Sequence, residues 1–337
     1  MNRKDFLASM MIAGVSLPAL AATKKEDPVA ISIPPYLKKG DTIGITAPAG
    51  YIMAEEILPA LKVIESWGYK IKLGETIGKR DFTFAGTDDE RVADFQQMLD
   101  DKSIKAVMCA RGGYGAVRII DRLQWNLFKR NPKWIIGFSD ITVFHSHLGS
   151  TVGIASIHSK MCNSFPDDWD MAELLQKETI ESIQQALCGT KMSYTSPVNI
   201  FNRNGTGEGV LIGGNLKTLE SLAGSASDIQ TADKILFVED TGEYMYSIDR
   251  MFWFLKRTGK LSKLRGLIIG GFRVKVDEGD DDFGKALQDV VLEKVKEYKY
   301  PVCFEFPVGH QRNNYALKCG ALHRLSVTSD SSTLVEL

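Results

Sequence analysis

Apolar positions along this chain follow two rhythms. Runs such as IGITA (43–47), IKAVMCA (104–110) and WIIG (134–137) are apolar almost throughout and stop at glycine, proline or small polar residues. Runs of this length bounded by turn signals predict buried strands. YKIKLG (69–74) alternates and predicts another strand. Between them, AEEILPALKVIESWG (54–68) has helical spacing and ends at Gly68, a C-cap signal. TDDERVADFQQMLDD (87–101) opens on Thr87, a capping residue, with acids in the first turn that suit the positive end of a helix. AVRIIDRL (116–123) predicts a third helix. Strands alternating with helices imply a parallel α/β sheet.

The rhythm breaks at 189–209, GTKMSYTSPVNIFNRNGTGEG, which is rich in Gly, Asn, Ser and Thr and predicts a domain boundary. Beyond it come the strand and helix of GVLIGGNLKTLESLAGS, the strand KILFV, the helix YSIDRMFWFLKRTG and the strand LRGLIIGGF. A helix near 283–298, the strand VCFEFPVGH and a strand-like end, LHRLSVTSDSSTLVEL, complete the chain. The expected organisation is an N-terminal α/β domain over 30–190 and a smaller, strand-rich α+β domain over 208–337.

Composition narrows the function classes. A length of 337 residues suits one large domain or two medium ones, and 44% hydrophobic with 25% charged residues is ordinary for a globular protein. The formal net charge of −1 gives no global field toward nucleic acid or a membrane surface. The first residues differ from the rest. MNRKDFLASMMIAGVSLPALAATKKED has a basic start at Arg3 and Lys4, an apolar stretch from Phe6 to Leu20, and alanines at 19, 21 and 22. That is the layout of a cleaved secretory signal over 1–22, too short for a stable membrane span. The expected location is therefore the periplasm. Five cysteines follow, with no C-x-x-C, so neither a zinc site nor a redox motif is expected, and no cofactor is called for.

Ligands of parallel α/β sheets gather at the carboxyl ends of strands. Four motifs end apolar strands here: the RGGYG turn (111–115), Ser139, the pair Glu239-Asp240, and His310. Ser139 has the strand–serine–helix context of a nucleophile elbow, although Ile141 breaks G-x-S-x-G, and a helix cap is the simpler reading of that stretch alone. His310 and His158 are rival bases, each ending an apolar run. Glu239 and Glu243 are rival orienting carboxylates. His145 and His147 are spaced i,i+2 and point apart on a helix, so no joint metal site is expected. His323 lies in an amphipathic strand and reads as structural.

In order, GDTIGITAPAG, ARGGYGAVRIID, IIGFSDIT, GGNLKTLESLAGS, FVEDTGEYMYSIDR and PVGHQRNNYALKCGA resemble the LD-carboxypeptidase family, the murein tetrapeptide carboxypeptidases and their relatives. The resemblance spans nearly all of the chain after the leader. It implies an N-terminal α/β domain, a strand-rich C-terminal domain, a site between them, and a homodimer. It also implies a metal-free Ser-Glu-His triad at Ser139, Glu239 and His310, with oxyanion donors at the backbone N–H groups of Asp140 and Gly113. The implied substrate is a peptidoglycan tetrapeptide, cut between the L-centre of a diamino acid and terminal D-alanine. Two segments depart from the family pattern: HSKM (158–161) stands for H-G-P-M, and LKCG (317–320) for L-P-[LIV]-G. VEDTGE differs from the E-T-S-E-like segment of the related microcin self-immunity peptidases and favours the carboxypeptidase branch. The rival readings are an exported two-domain binding protein without catalysis, and an amidase of the same family.

Overall fold

The computed structural model describes residues 30–276 and 283–337. The expected leader, residues 1–22, lies outside the described residues. The first domain is built on β1 (Thr42–Thr46), β2 (Lys70–Leu73), β3 (Ile104–Cys109), β4 (Trp134–Gly137) and β5 (Ser156–His158). These strands pair in parallel, in the order β2-β1-β3-β4-β5. The helices are α1 (Leu58–Ser66), α2 (Asp88–Asp100), α3 (Asn126–Arg130), α4 (Thr142–His147) and α5 (Leu174–Leu187). Strands β3 and β4 are almost wholly buried because both faces of the sheet are covered, which is why they read as unbroken apolar runs. The order reverses between β1 and β3, so the crevice at the carboxyl ends of β1, β3 and β4 is where this topology places ligands.

The capping signals hold. Thr87 Oγ1 accepts from the Glu90 N–H at 3.2 Å, and Glu90 returns a bond to the Thr87 N–H at 2.9 Å. Three expectations change. Residues 116–123 form two separate 3₁₀ turns, Ala116–Arg118 and Ile120–Arg122, instead of a helix. Their backbone bonds close three residues apart, while Arg118 and Arg122 are pulled onto Asp88 and Asp89 in the first turn of α2.

The 189–209 segment is not wholly a linker, since Ser193–Ser196 forms strand β6. The second sheet continues with β7 (Gly205–Asn215), β8 (Lys234–Tyr244), β9 (Gly266–Lys275) and β10 (Val302–Cys303). Helices α6 (Leu216–Ser221), α7 (Met245–Arg257) and α8 (Leu287–Val295) accompany them. The expected strand VCFEFPVGH pairs regularly only at β10. Pro301 and Pro307 lack N–H donors and Glu305 takes φ 55°, so the chain leaves the sheet and runs irregularly to His310.

Strand β11 (Leu317–Cys319) then crosses back and pairs antiparallel with β5 of the first sheet. A final hairpin, β12 (Leu322–Val327) and β13 (Ser332–Glu336), completes the second sheet, in the order β10-β9-β8-β7-β12-β13-β6. The first sheet therefore carries a strand from the C-terminal half of the chain. The seam is tightened at α4, where Thr142 Oγ1 accepts from the Asn215 N–H at 2.9 Å and Ser146 Oγ donates to the Ser227 carbonyl at 2.5 Å.

Candidate active site

Strand β4 delivers Ser139. Phe138 is extended (φ −151°, ψ −172°), and Ser139 turns sharply to φ 63°, a conformation uncommon for a residue with a side chain. The cap position of the following turn belongs to Phe138, so Ser139 is not the helix cap that its local sequence suggested. A 3₁₀ turn, Ser139–Ile141, precedes α4. A strained serine at a buried strand end, half-exposed at the tip, is the geometry of a nucleophile elbow.

The RGGYG turn is drawn against this serine. The Gly112 carbonyl accepts from the Gly50 N–H at 2.9 Å, and Gly113 sits at φ 96°. A Cβ on Gly112 would stand 3.2 Å from the Ser139 Cβ, so the backbone approaches as closely as it does because no side chain intervenes. Asp140 ties the two turns together, its Oδ2 accepting from the Ala116 N–H at 2.8 Å. Burial pushes this carboxyl up to about 6. Gly113, Ser139 and Asp140 line one cleft of about 310 Å³, with Asn215, Asp240 and Glu243 on its far wall.

Glu239 and His310 meet directly. Glu239 is wholly buried in β8, and its Oε2 accepts from His310 Nδ1 at 2.5 Å and from the His310 backbone N–H at 3.2 Å. With Nδ1 donating, a neutral imidazole presents Nε2 as a proton acceptor. Gly309 makes the approach possible, because it holds φ 101° and a Cβ there would lie 2.4 Å from the Glu239 Cβ. The His310 ring packs on Phe138 with centroids 4.9 Å apart, which brings the Glu239–His310 pair to the residue preceding Ser139. No hydrogen bond joins Ser139 to His310 among the described residues. Such bonds often tighten only when substrate binds.

The rivals sort by environment. His158 is wholly buried between Phe138 and Phe237, and burial pushes it well below the usual histidine range, so it cannot serve as a base for a ligand in the cleft. Glu243, at the end of β8, accepts from Ser247 Oγ at 2.6 Å and serves the first turn of α7. His145 bonds Ser156 Oγ at 2.8 Å and the Gly137 carbonyl at 2.9 Å, whereas His147 bonds Ser227 Oγ at 2.9 Å, so the two do not converge. Among the described residues no group of three or more His, Cys, Asp or Glu is placed to hold a metal ion. His323 is buried in β12 with Nδ1 against the Ala321 carbonyl at 3.0 Å. All five cysteines are free, and only Cys188 is exposed.

Two contributors escaped the sequence reading. Asn314 is buried, and its Oδ1 accepts from the Gly309 N–H at 2.8 Å, fixing the loop that carries His310. Its only sequence signal is an amide just after the candidate histidine. Asp240, named in the sequence only as the second acid of the Glu239-Asp240 pair and given no role, is buried and accepts from the backbone N–H groups of Lys217 at 2.8 Å and Thr241 at 2.7 Å. Burial, and then the neighbouring Glu239, raise it to about 7.

This arrangement sits in a chain with recognisable relatives. Residues 43–159 match the LD-carboxypeptidase N-terminal domain, and residues 208–325 match the LD-carboxypeptidase C-terminal domain. The chain is 33% identical to a probable murein peptide carboxypeptidase of Bacillus subtilis, covering 90% of this chain and 94% of that protein. It is 30% identical to the murein tetrapeptide carboxypeptidase of Pseudomonas aeruginosa, over 82% of this chain and 91% of the other. The crystal structure of a muramoyltetrapeptide carboxypeptidase from Oxalobacter formigenes superposes with a TM-score of 0.77 at 27% identity, over 88% of this chain and 99% of that one.

Proposed function

The chain belongs to the LD-carboxypeptidase family, and from that premise we propose that it is a serine carboxypeptidase of murein peptides with Ser139, Glu239 and His310 as its triad. The observation that carries the reading is the buried Glu239–His310 pair at 2.5 Å, packed through Phe138 beside a serine held at φ 63°.

In this reading His310 Nε2 takes the proton of Ser139 Oγ as the oxygen attacks the carbonyl at the L-centre of a diamino acid, meso-diaminopimelate or lysine. The backbone N–H groups of Asp140 and Gly113 receive the developing oxyanion. Collapse breaks the C–N bond, and His310 returns the proton to the amine of the departing D-alanine. Water, deprotonated by His310, then releases the acyl group from Ser139. Glu239 holds the imidazole tautomer throughout and stabilises its charged form.

The family's L-to-D specificity supplies a test. An acyl side built for an L-centre mismatches the D-centre at the corresponding position of a pentapeptide ending in D-Ala-D-Ala. Purified enzyme is expected to release D-alanine from the tetrapeptide and to leave the pentapeptide intact, as followed by mass spectrometry of the remaining peptide. Comparable cleavage of both would overturn the assigned bond.

We place the enzyme in the periplasm, as a homodimer, once the leader is removed. Cleavage after Ala21 or Ala22 would fall before Ser32, whose N–H donates to the Gly153 carbonyl at 2.9 Å. Among the described residues no helix is long and apolar enough to cross a membrane. The intact mass of exported protein should begin at residue 22 or 23. A mass that retains residues 1–20 would reject processing.

A further inference from the structure

Strands β4 and β5 run parallel, with Gly137 opposite His158 as their last pair. Two residues further on, the chain reaches Ser139 from one strand and Lys160 from the other, at the same edge of the sheet. Lys160 belongs to HSKM, where the family pattern has proline. Its neighbour Met161 reaches the RGGYG turn, where a Cβ on Gly112 would meet Met161 Cε at 3.3 Å. Lys160 itself turns toward His310. Its Nζ donates to the carbonyl of Gln311 at 2.7 Å and stands 5.5 Å from the Phe138 ring centroid, the same ring on which His310 packs.

This ammonium lines a second cleft, of about 490 Å³, together with Arg273, Arg312 and Glu173. Three cations there face one carboxylate. Arg312 engages Glu173 at 2.9 Å, whereas no carboxylate lies within ion-pair distance of Lys160 or Arg273 among the described residues. Burial, and then the charge of Arg273, push Lys160 down to about 8, while Glu239 pulls the other way. An anion bound between the part-buried ammonium of Lys160 and the guanidinium of Arg273 would offset the cost that burial and the neighbouring charge place on the Lys160 cation.

The triad sets where that anion belongs. The departing amine must face His310 to receive its proton, so the terminal residue of the substrate extends past His310 toward Lys160. We propose that Lys160, supported by Arg273, anchors the free carboxylate of the substrate's terminal residue and thereby restricts the enzyme to chain ends. The assignment rests on the carboxypeptidase reading above and adds the group that recognises the leaving residue.

The charge must be present to act. The groups facing it are Arg273 from β9, Glu239 from β8, the buried His158 from β5, Phe138 from the end of β4, the Gln311 carbonyl with Arg312 in the His310 loop, and Glu173, which Arg312 engages, just before α5. As pH rises through about 8, Lys160 loses its proton, so KM for the peptide should climb while kcat is unchanged.

The test compares a tetrapeptide acid with the same peptide ending in D-alanine amide. A charged hydrogen bond lost from a binding site corresponds to a loss of about tenfold to a hundredfold. Lys160→Met should lose that much on the acid, through KM, leave the slow amide reaction unchanged, and abolish the alkaline rise in KM. Arg273→Met, at an exposed position and safe for folding, should show a smaller loss of the same kind. Equal losses on acid and amide, or none, would overturn the anchor. If the wild type releases neither D-alanine from the acid nor D-alanine amide from the amide, the carboxypeptidase reading fails separately. Calorimetric binding to Ser139→Ala protein then decides the anchor: acid bound more tightly than amide, with the preference lost in Lys160→Met, sustains it, and equal binding rejects it.

Discussion

Ser139→Ala is expected to lower kcat for release of D-alanine by about a millionfold, the scale seen when a nucleophile is removed from a serine triad. His310→Ala should match it closely. The double variant should be scarcely worse than either single one, because members of a triad act as a unit and the second loss has nothing left to remove. Residual turnover would come from the oxyanion donors and from binding alone. The fold should survive both changes. Ser139 is half-exposed at a turn that its side chain does not cap, and His310 stands at the surface of its loop with 18% of its side chain exposed. Steady-state kinetics on the three variants, with circular dichroism for folding, decides the matter. Additive losses would mean that the two residues serve different steps.

The second large effect separates two glutamates. Glu239→Gln should keep the fold and reduce kcat by about ten-thousandfold, because an amide can support the wrong imidazole tautomer and stabilises the imidazolium poorly. Oε2 already accepts two hydrogen bonds from His310, and Oε1 has no partner among the described residues, so the loss falls on histidine orientation. Glu243→Gln should retain most activity, since its carboxylate serves Ser247 at the start of α7. A dead Glu243→Gln beside a near-wild-type Glu239→Gln would exchange the two roles.

Much of this arrangement was legible in the chain. Ser139 announced itself because a buried apolar run, β4, stops just before it, whereas the runs before Glu239 and His310 marked buried segments and not strand ends: β8 continues past Glu239 to Tyr244, and the chain leaves the sheet after Cys303. Thr87 and Gly68 marked helix ends because capping is local chemistry. What stayed hidden depends on pairing between distant segments. Nothing local says that β11 crosses to β5, that β6 joins β13, or that 116–123 tightens into two 3₁₀ turns under the pull of Asp88 and Asp89. The choice between His158 and His310 was likewise not local. Both follow apolar runs, but one is enclosed by Phe138 and Phe237 while the other reaches a buried carboxylate. Lys160 acquires a meaning only once the register of β4 and β5 sets it level with Ser139.

The central claim is that Ser139 is the nucleophile, and covalent trapping tests it most directly. Incubation with a serine-reactive phosphonate, followed by peptide mapping, should place one equivalent of label on the peptide containing Ser139. Tetrapeptide should slow the labelling, and Ser139→Ala protein should take up none. Label on another serine, or an unlabelled Ser139 in protein that still releases D-alanine, would contradict the account.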